Sequence, residues 1–177
     1  MSNDNLTFLN SYFNHIPTDF ADDSRVWIYQ CNRPFTEIET IEINKLLHDF
    51  SSTWKSHGDA VKGFGTILFD QFIILIADEN ATGVSGCSTD SSVRLIKEIE
   101  KKFTVNLFDR LTLAFLINET ITTIPLHLFH DAIHKGIINE DTLYFNNTIL
   151  TKEALENEWI IPVHKSWLAK NRLSHKQ

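Results

Sequence analysis

Two apolar segments on either side of a tight turn constrain the fold of this chain most strongly. The segments AVKGFGTILF and QFIILIADE are rich in β-branched and aromatic residues, and they meet at Asp70 and Gln71. Residues of these types favour extended backbone, and a short polar link between two such runs is typical of a hairpin. The sequence therefore predicts an antiparallel β-hairpin with largely buried arms.

The segments that flank this hairpin repeat one pattern on both sides. Residues 25–30 (RVWIYQ) have the alternation of a strand, and apolar residues then recur at helical spacing from Pro34 to Trp54. After the hairpin, residues 93–103 form an amphipathic helical pattern and residues 111–117 (LTLAFLI) have strand composition. The order strand, helix, strand, strand, helix, strand is typical of ferredoxin-like folds. We therefore predict an α+β protein with a ferredoxin-like βαββαβ core over about residues 25–117.

The length and composition favour a single domain around that core. The chain has 177 residues, 42% of them hydrophobic, and no repeat or Pro/Gly-rich linker divides it. We expect an N-terminal appendage over residues 1–24 and a C-terminal extension over residues 118–177, whose extra strands and helices pack on the core.

Charge and hydropathy exclude several classes of function. The 16 basic residues are scattered among 23 acidic ones, which give a net charge of -7, so no basic surface for nucleic acid is predicted. The longest apolar stretches are far shorter than the roughly 20 residues that span a bilayer, and the N-terminus lacks a secretory signal. We expect a cytoplasmic protein without a membrane span, with Cys31 and Cys87 as free thiols.

The segment SGCSTDSS, residues 85–92, is the leading candidate for a functional site. Ser88, Thr89 or Asp90 can cap the helix that follows, which is the simplest interpretation. The same exposed amides, together with the helix dipole, can also hold an anion or lower the pKa of the Cys87 thiol. A cap, an anion or small-ligand site and a reactive thiol all remain open at this point.

The ferredoxin-like strand order places a second polar segment beside SGCSTDSS. In the order four-one-three-two, the start of the second strand shares an edge with the end of the third, which brings WKSHGD, residues 54–59, next to Cys87. His57 could then act as a base, whereas Cys31 lies at the opposite edge, too far away for a disulfide. The predicted recognition edge consists of Trp54, His57, Gly58, Ser85, Gly86, Cys87, Ser88, Asp90 and Ser91.

Four motifs carry a resemblance to a known family. VWIYQCNRPF, WKSHGD, SGCSTDSS and IPVHKSW together resemble a family of uncharacterised bacterial proteins, some of which carry the label "ABC transporter ATPase"; the likeness covers about residues 25–168. The label implies ATP hydrolysis, which the residues do not support. Gly58 and Gly63 have the spacing of a phosphate-binding loop, but Phe64 and Gly65 stand where lysine and a hydroxyl residue are needed. The fragment VSGCS has only a weak similarity to LSGGQ, the signature sequence of transporter ATPases. We therefore predict that the protein is not an ATPase.

Three histidines form a second candidate site, for a metal ion. On a helix, His127, His130 and His134 fall within about 60° of one another, a stripe that a metal ion could use. We favour a solvated helix face, because no further ligand pair accompanies the stripe. Asp131 also replaces the glutamate of the zincin motif H-E-x-x-H, and its shorter side chain would reach a metal-bound water poorly.

The sequence thus predicts a cytoplasmic binding or accessory protein that recognises a small anionic ligand or a protein partner and needs no cofactor. The alternative is a thiol-dependent enzyme with Cys87 as nucleophile and His57 as general base. A weaker alternative is a metal-dependent hydrolase that uses His127, His130 and His134. Nothing in the sequence predicts an oligomeric state.

Overall fold

The computed structural model describes residues 14–56, 59–78 and 86–171, and every structural statement below refers to these residues. They form nine strands: β1 (Arg25–Gln30), β2 (Lys55–Ser56), β3 (Asp59–Ala60), β4 (Lys62–Leu68), β5 (Phe72–Asp78), β6 (Thr112–Ile117), β7 (Thr120–Pro125), β8 (Leu143–Phe145) and β9 (Ile160–Pro162). The five α-helices are α1 (Glu37–Thr53), α2 (Gly86–Phe103), α3 (Phe129–His134), α4 (Lys152–Asn157) and α5 (Leu168–Asn171). Two short 3-10 helices cover Leu126–Leu128 and Val163–Lys165.

The strands form two main antiparallel sheets, so the protein belongs to the α+β class. The first sheet has the order β1-β5-β4 and the second the order β7-β6-β8-β9, while β2 and β3 form a separate two-residue ribbon. The chain also divides into two compact units, Met1–Phe108 with Thr148–Glu156, and Asp109–Asn147 with Asn157–Gln177. The boundary between these units falls inside the predicted 25–117 core.

The first unit is built on the predicted hairpin. Strands β4 and β5 pair with Ile67 opposite Ile73, and β5 pairs on its other side with β1. The helix-facing core joins side chains of the sheet to those of α1 and α2. Its buried members are Tyr29, Cys31, Phe35, Ile43, Leu47, Ile67, Ile73, Leu75, Leu95, Ile96, Ile99, Val105 and Leu107.

Two glycines of β4 allow α1 to approach the sheet closely. A Cβ atom on Gly63 would lie 2.7 Å from Cε3 of Trp54, and one on Gly65 would lie 3.0 Å from Cβ of Leu47. Contacts this short force neighbouring atoms to move, so both positions favour glycine for packing. Packing therefore explains Gly63, which lies inside a strand. In a phosphate-binding loop, this glycine would lie in a turn before a helix.

The four-stranded sheet of a ferredoxin-like core is not formed, which corrects that part of the prediction. The first three strands of the predicted core are adjacent in the expected order, as β1, β5 and β4. The expected fourth strand, β6, instead pairs with β7 and β8 in the second sheet. Residues 150–152 lie beside β1 instead: the amide of Val26 donates to the carbonyl of Leu150 at 2.9 Å, and Arg25 bridges Thr151. A two-residue turn gives β6 a local partner in β7, and closing so short a loop costs less entropy than a distant pairing.

The second unit has its own core. Phe115 of β6 lies between Tyr144 of β8 and Phe129 of α3, with ring centroids 5.6 Å and 6.0 Å apart. The buried residues of this cluster are Leu113, Phe115, Ile124, Phe129, Ala132, Ile138, Tyr144, Val163 and Leu168. Strand β6 was predicted as the last strand of the 25–117 core, and residues 118–177 were predicted as an extension packed on that core.

Both hairpins turn through residues with positive φ. The first turns at Phe69 and Asp70, one residue earlier than predicted, and Gln71 donates its amide to the carbonyl of Leu68 at 3.2 Å. The second turns at Asn118 and Glu119, with φ of 49° and 60°. Two consecutive positive φ values are the signature of a type I′ turn, which matches the twist of paired strands.

Candidate functional site

Much of the predicted recognition edge lies outside the described residues. His57, Gly58 and Ser85 are not described, and for Gly86, Cys87 and Ser88 only the helical backbone is described. The helix α2 begins at Gly86, which corrects the predicted cap, because Ser88, Thr89 and Asp90 are then already helical. A capping side chain must precede the first helical residue, so none of these three can fill that role. Asp90 is exposed, and Ser91 is half-buried.

The structure brings α2 and the segment before His57 together. Residues of α2 approach the two-residue strand β2, Lys55–Ser56, within 8 Å between Cα atoms. The contact is between β2 and the helix as a whole, so the pairing of WKSHGD with SGCSTDSS stays a prediction.

Trp54 belongs to the core and not to a recognition edge, which corrects its predicted role. Its side chain is buried, and its ring lies 4.8 Å from that of Phe50 and 5.8 Å from that of Trp27. Val61 packs in the same small cluster. A ligand could reach Trp54 only by displacing this packing.

Cys31 is a buried, free cysteine at the end of β1. Burial raises the pKa of its thiol, and the neighbouring Arg33 only partly opposes this effect. The backbone of Cys31 is held by Gln71, whose carbonyl accepts the amide of Cys31 at 2.8 Å and whose side chain donates to the Cys31 carbonyl at 3.0 Å. These features make Cys31 a structural residue.

The three histidines are not assembled into a metal centre. Within residues 14–56, 59–78 and 86–171, no group of three His, Cys, Asp or Glu side chains could hold a metal ion. His127 lies in the 3-10 helix before α3, whereas His130 and His134 lie in α3 itself. The single-helix stripe assumed at the sequence level is therefore interrupted, because a 3-10 helix turns by about 120° per residue.

A pocket that the sequence did not predict lies at the C-terminal end of α2. Its volume is about 490 Å³. It is lined by Asn32, Lys97, Glu100, Lys101, Thr104, Val105 and Asn106, which we call the Asn32 pocket. Lys97 and Lys101 are one helical turn apart, both exposed, and neither forms an ion pair with a described residue.

Backbone contacts hold the floor of this pocket in place. The amide of Asn106 donates to Oδ1 of Asn32 at 2.8 Å, and the amide of Asn32 donates back to the Asn106 carbonyl at 3.1 Å. Because Oδ1 of Asn32 is used in this way, its Nδ2 group is left as a donor for a ligand. Thr104, with φ of 52°, ends α2 in the left-handed region, and Val105 donates to the carbonyl of Glu100 at 3.2 Å as in a Schellman motif.

The negative groups around the pocket are engaged by other parts of the protein. The carboxylate of Glu100 accepts the amide of Leu107 at 2.6 Å. At the end of α2, the carbonyl of Phe103 accepts a hydrogen bond of 3.2 Å from Arg33. This hydrogen bond satisfies one carbonyl at the negative end of the helix, while the Arg33 charge is paired with Glu39. The lining thus contains two lysines, the carboxylate of Glu100 and the side chain of Asn32, so its charged groups sum to +1.

Sequence reasoning missed this pocket because its parts are remote from one another along the chain. The spacing of Lys97 and Lys101 is visible in the sequence, but it is equally typical of a solvated helix face. Only the tertiary pairing of Asn32 with Asn106 brings the loop after β1 next to these lysines.

Comparisons with known proteins add no family or fold to this description. No family model, no curated protein and no solved structure matches the chain. Among the described residues, no helix is long and apolar enough to cross a membrane.

Proposed function

We propose that this protein binds a small anionic ligand in the Asn32 pocket and acts as a binding or accessory protein. The observation that carries the proposal is the convergence of Lys97, Lys101 and Asn32 on one pocket of about 490 Å³. The pocket is open to solvent, and in small-molecule sites a few convergent polar groups fix the orientation of the ligand. Charge pairs at exposed positions contribute about 0.2–1 kcal/mol each, so the two exposed lysines give the pocket a modest preference for anions.

The pocket favours an anion with more than one acceptor oxygen. Lysine presents a mobile point charge, so Lys97 and Lys101 can each meet a different oxygen of a phosphate or a carboxylate. The Nδ2 group of Asn32 adds a fixed, neutral donor. A ligand of this class also fits the hypothesis drawn from the sequence, with the site at the opposite end of α2 from the one predicted.

The test is a thermal-shift titration with inorganic phosphate, sulfate and small dicarboxylates at constant ionic strength. An anion at 100 times its dissociation constant adds about 2.7 kcal/mol of stability. The double variant Lys97→Gln/Lys101→Gln should weaken binding at least about tenfold, a loss of about 1.4 kcal/mol. The double variant Lys45→Gln/Lys165→Gln removes the same charge from exposed positions outside the pocket and should bind as the parent does. An equal loss in both variants, or none in either, contradicts the proposal.

A thiol-dependent activity is a second candidate, supported by the position at which α2 begins. Because the helix starts at Gly86, Cys87 lies in its first turn, where the dipole favours a thiolate. The helix also lies beside β2, the strand that precedes His57. The pH dependence of iodoacetamide alkylation tests this proposal, since Cys31 is buried. A reactive Cys87 should titrate well below the usual pKa of about 8.5, and His57→Ala should move that midpoint; a midpoint near 8.5 in both proteins excludes it.

A further inference from the structure

The segment over residues 14–24 belongs to the first unit and forms neither a helix nor a strand. We call it the 14–24 strap. Of its apolar side chains, only those of Ile16 and Phe20 are buried. The ring of Phe20 lies 6.4 Å from that of Phe64 in β4. Segments with few buried apolar groups and little regular hydrogen bonding are the parts of a protein that open locally at the lowest free energy.

The strap contacts the face of the first sheet that points away from α1. Side chains alternate between the two faces along a strand, and a Cβ atom on Gly65 of β4 would meet Leu47 of α1. Phe64 therefore points to the opposite face, where Ile76, its cross-strand partner in β5, is fully buried. Because Phe20 packs against Phe64, opening of the strap uncovers an apolar part of this outer face.

The side chain of Lys62 makes three contacts that hold the 14–24 strap on the sheet. Its Nζ atom donates to the carbonyl of Asp19, lies 3.0 Å from the Asp19 carboxylate and lies 4.5 Å from the centroid of the Phe20 ring. The side chains of Lys62 and Asp19 are 39% and 71% exposed. Water and salt therefore screen this pair, so the closed position depends on contacts that ionic strength weakens.

Another attachment of the strap, at Asp22, can be released without leaving a buried charge unpaired. The Asp22 carbonyl accepts the amide of Glu153 at 2.9 Å, and the Asp22 carboxylate lies 3.7 Å from Nζ of Lys152. Lys152 is buried, but its Nζ atom lies closer to Glu156, at 2.8 Å, and keeps this partner when Asp22 moves away. Glu153 is exposed in the first turn of α4, so water can replace the Asp22 carbonyl at its amide.

We propose that the 14–24 strap opens and closes over the outer face of the first sheet, with Lys62 as the side chain that holds it closed. The closed state buries Phe20 against Phe64, and the open state exposes both rings while the sheet stays folded. Neutralisation of Lys62 or an increase in ionic strength shifts the equilibrium toward the open state, because both weaken the same contacts. The charge of one exposed side chain thereby regulates access to this face.

Hydrogen exchange of the full chain, measured at individual amides, tests the proposal. The amide of Glu153 reports on the strap, since its acceptor is the Asp22 carbonyl, and the amide of Ile74 in the central strand β5 reports on global unfolding. In Lys62→Gln, exchange at Glu153 should be at least about tenfold faster than in the parent, whereas exchange at Ile74 should change less than about threefold. Lys45→Gln removes the same charge from an exposed position of α1 and should exchange as the parent does.

Ionic strength provides an independent measurement on the parent protein. Between about 0.05 M and about 0.5 M salt, exchange at Glu153 should accelerate in the parent and change much less in Lys62→Gln, which lacks the charge that salt screens. Equal exchange at Glu153 in the parent and in Lys62→Gln overturns the proposal, because Lys62 then does not hold the strap. Parallel acceleration at Glu153 and Ile74 also overturns it, because the strap then opens only when the whole unit unfolds.

Discussion

The guanidinium of Arg33 and the carboxylate of Glu39 form two parallel hydrogen bonds of 2.8 Å each. The same carboxylate accepts the amide of Thr36 at 2.8 Å and completes the capping box of α1. Arg33 also donates to the carbonyl of Phe103 at the end of α2. One ion pair thus joins the loop after β1 to the start of α1 and the end of α2, the same end that forms the Asn32 pocket.

Glu39→Gln should destabilise the protein by about 1–2 kcal/mol at pH 7, because it breaks the bidentate pair and leaves Arg33 without its anion. This loss of stability is smaller than the free energy that corresponds to the full shift of the Glu39 pKa. Solvent screens the pair, because the Arg33 side chain is 40% exposed. Urea denaturation of parent and variant at pH 7 measures the difference. Glu42→Gln is the control, because its pair with Lys102 is exposed on both sides and should change stability by less than about 0.5 kcal/mol.

The contribution of Glu39 should also depend on pH in a defined window. Arg33, followed by the Thr36 amide, lowers the Glu39 pKa from its usual 4.5 to about 2. Because the pKa is lower in the folded state, the contribution is complete above about pH 4.5 and is lost as pH falls toward 2. The stability difference between parent and Glu39→Gln should therefore shrink across this window in parallel urea titrations. A difference that stays constant down to pH 2.5 would contradict this assignment.

Gly63→Ala should destabilise the protein by about 1–3 kcal/mol, although alanine normally suits a strand better than glycine does. The added methyl group would lie 2.7 Å from the Trp54 ring and must displace it. Thermal denaturation gives the loss, and tryptophan fluorescence should report the altered packing. Gly136→Ala is an informative comparison, because its added methyl group meets no atom within 4 Å and its cost comes only from the φ of 69°.

Glu119→Gly should stabilise the second hairpin by about 0.5–1 kcal/mol. Glutamate at φ of 60° is strained, whereas Asn-Gly is the preferred pair for this turn type. Chemical denaturation of the variant measures the gain, and Glu119→Ala, which keeps the strain, should show little change. Equal stabilities for the glycine and alanine variants would show that backbone strain is not released at this position.

Cys31 should react very slowly with iodoacetamide in the native protein. Its side chain is fully buried, and burial raises the pKa of the thiol, so little thiolate is present at neutral pH. In a Cys87→Ser variant, mass spectrometry should detect alkylation of Cys31 at a normal rate only after urea is added. Rapid native labelling would show that the end of β1 opens readily.

Local elements were predictable from the sequence where one pattern dominated. Strand β1 was predicted at residues 25–30 and lies there, and the helix expected between Pro34 and Trp54 covers Glu37–Thr53. Thr151 precedes α4 in the sequence, and its hydroxyl accepts the amide of Ala154 at 3.2 Å, as expected of a threonine cap. Each of these predictions depends on residues within a few positions of one another, which fix backbone preference and capping.

The pairing of those elements was not predictable in the same way. The sequence of β6 suits a strand in either sheet, and only the tertiary structure shows that its neighbours are β7 and β8. The Asn32 pocket depends in the same way on a contact between Asn32 and Asn106, which no local pattern encodes.

By itself, the sequence determined the α+β class and the position of local elements such as β1 and α1, because periodicity is a local property of the chain. The tertiary structure decided that β6 starts a second sheet, that Trp54 is core, and that Lys97 and Lys101 share a pocket with Asn32. These outcomes depend on which distant segments pack together, and that choice is made by burial and hydrogen-bond satisfaction over the whole fold.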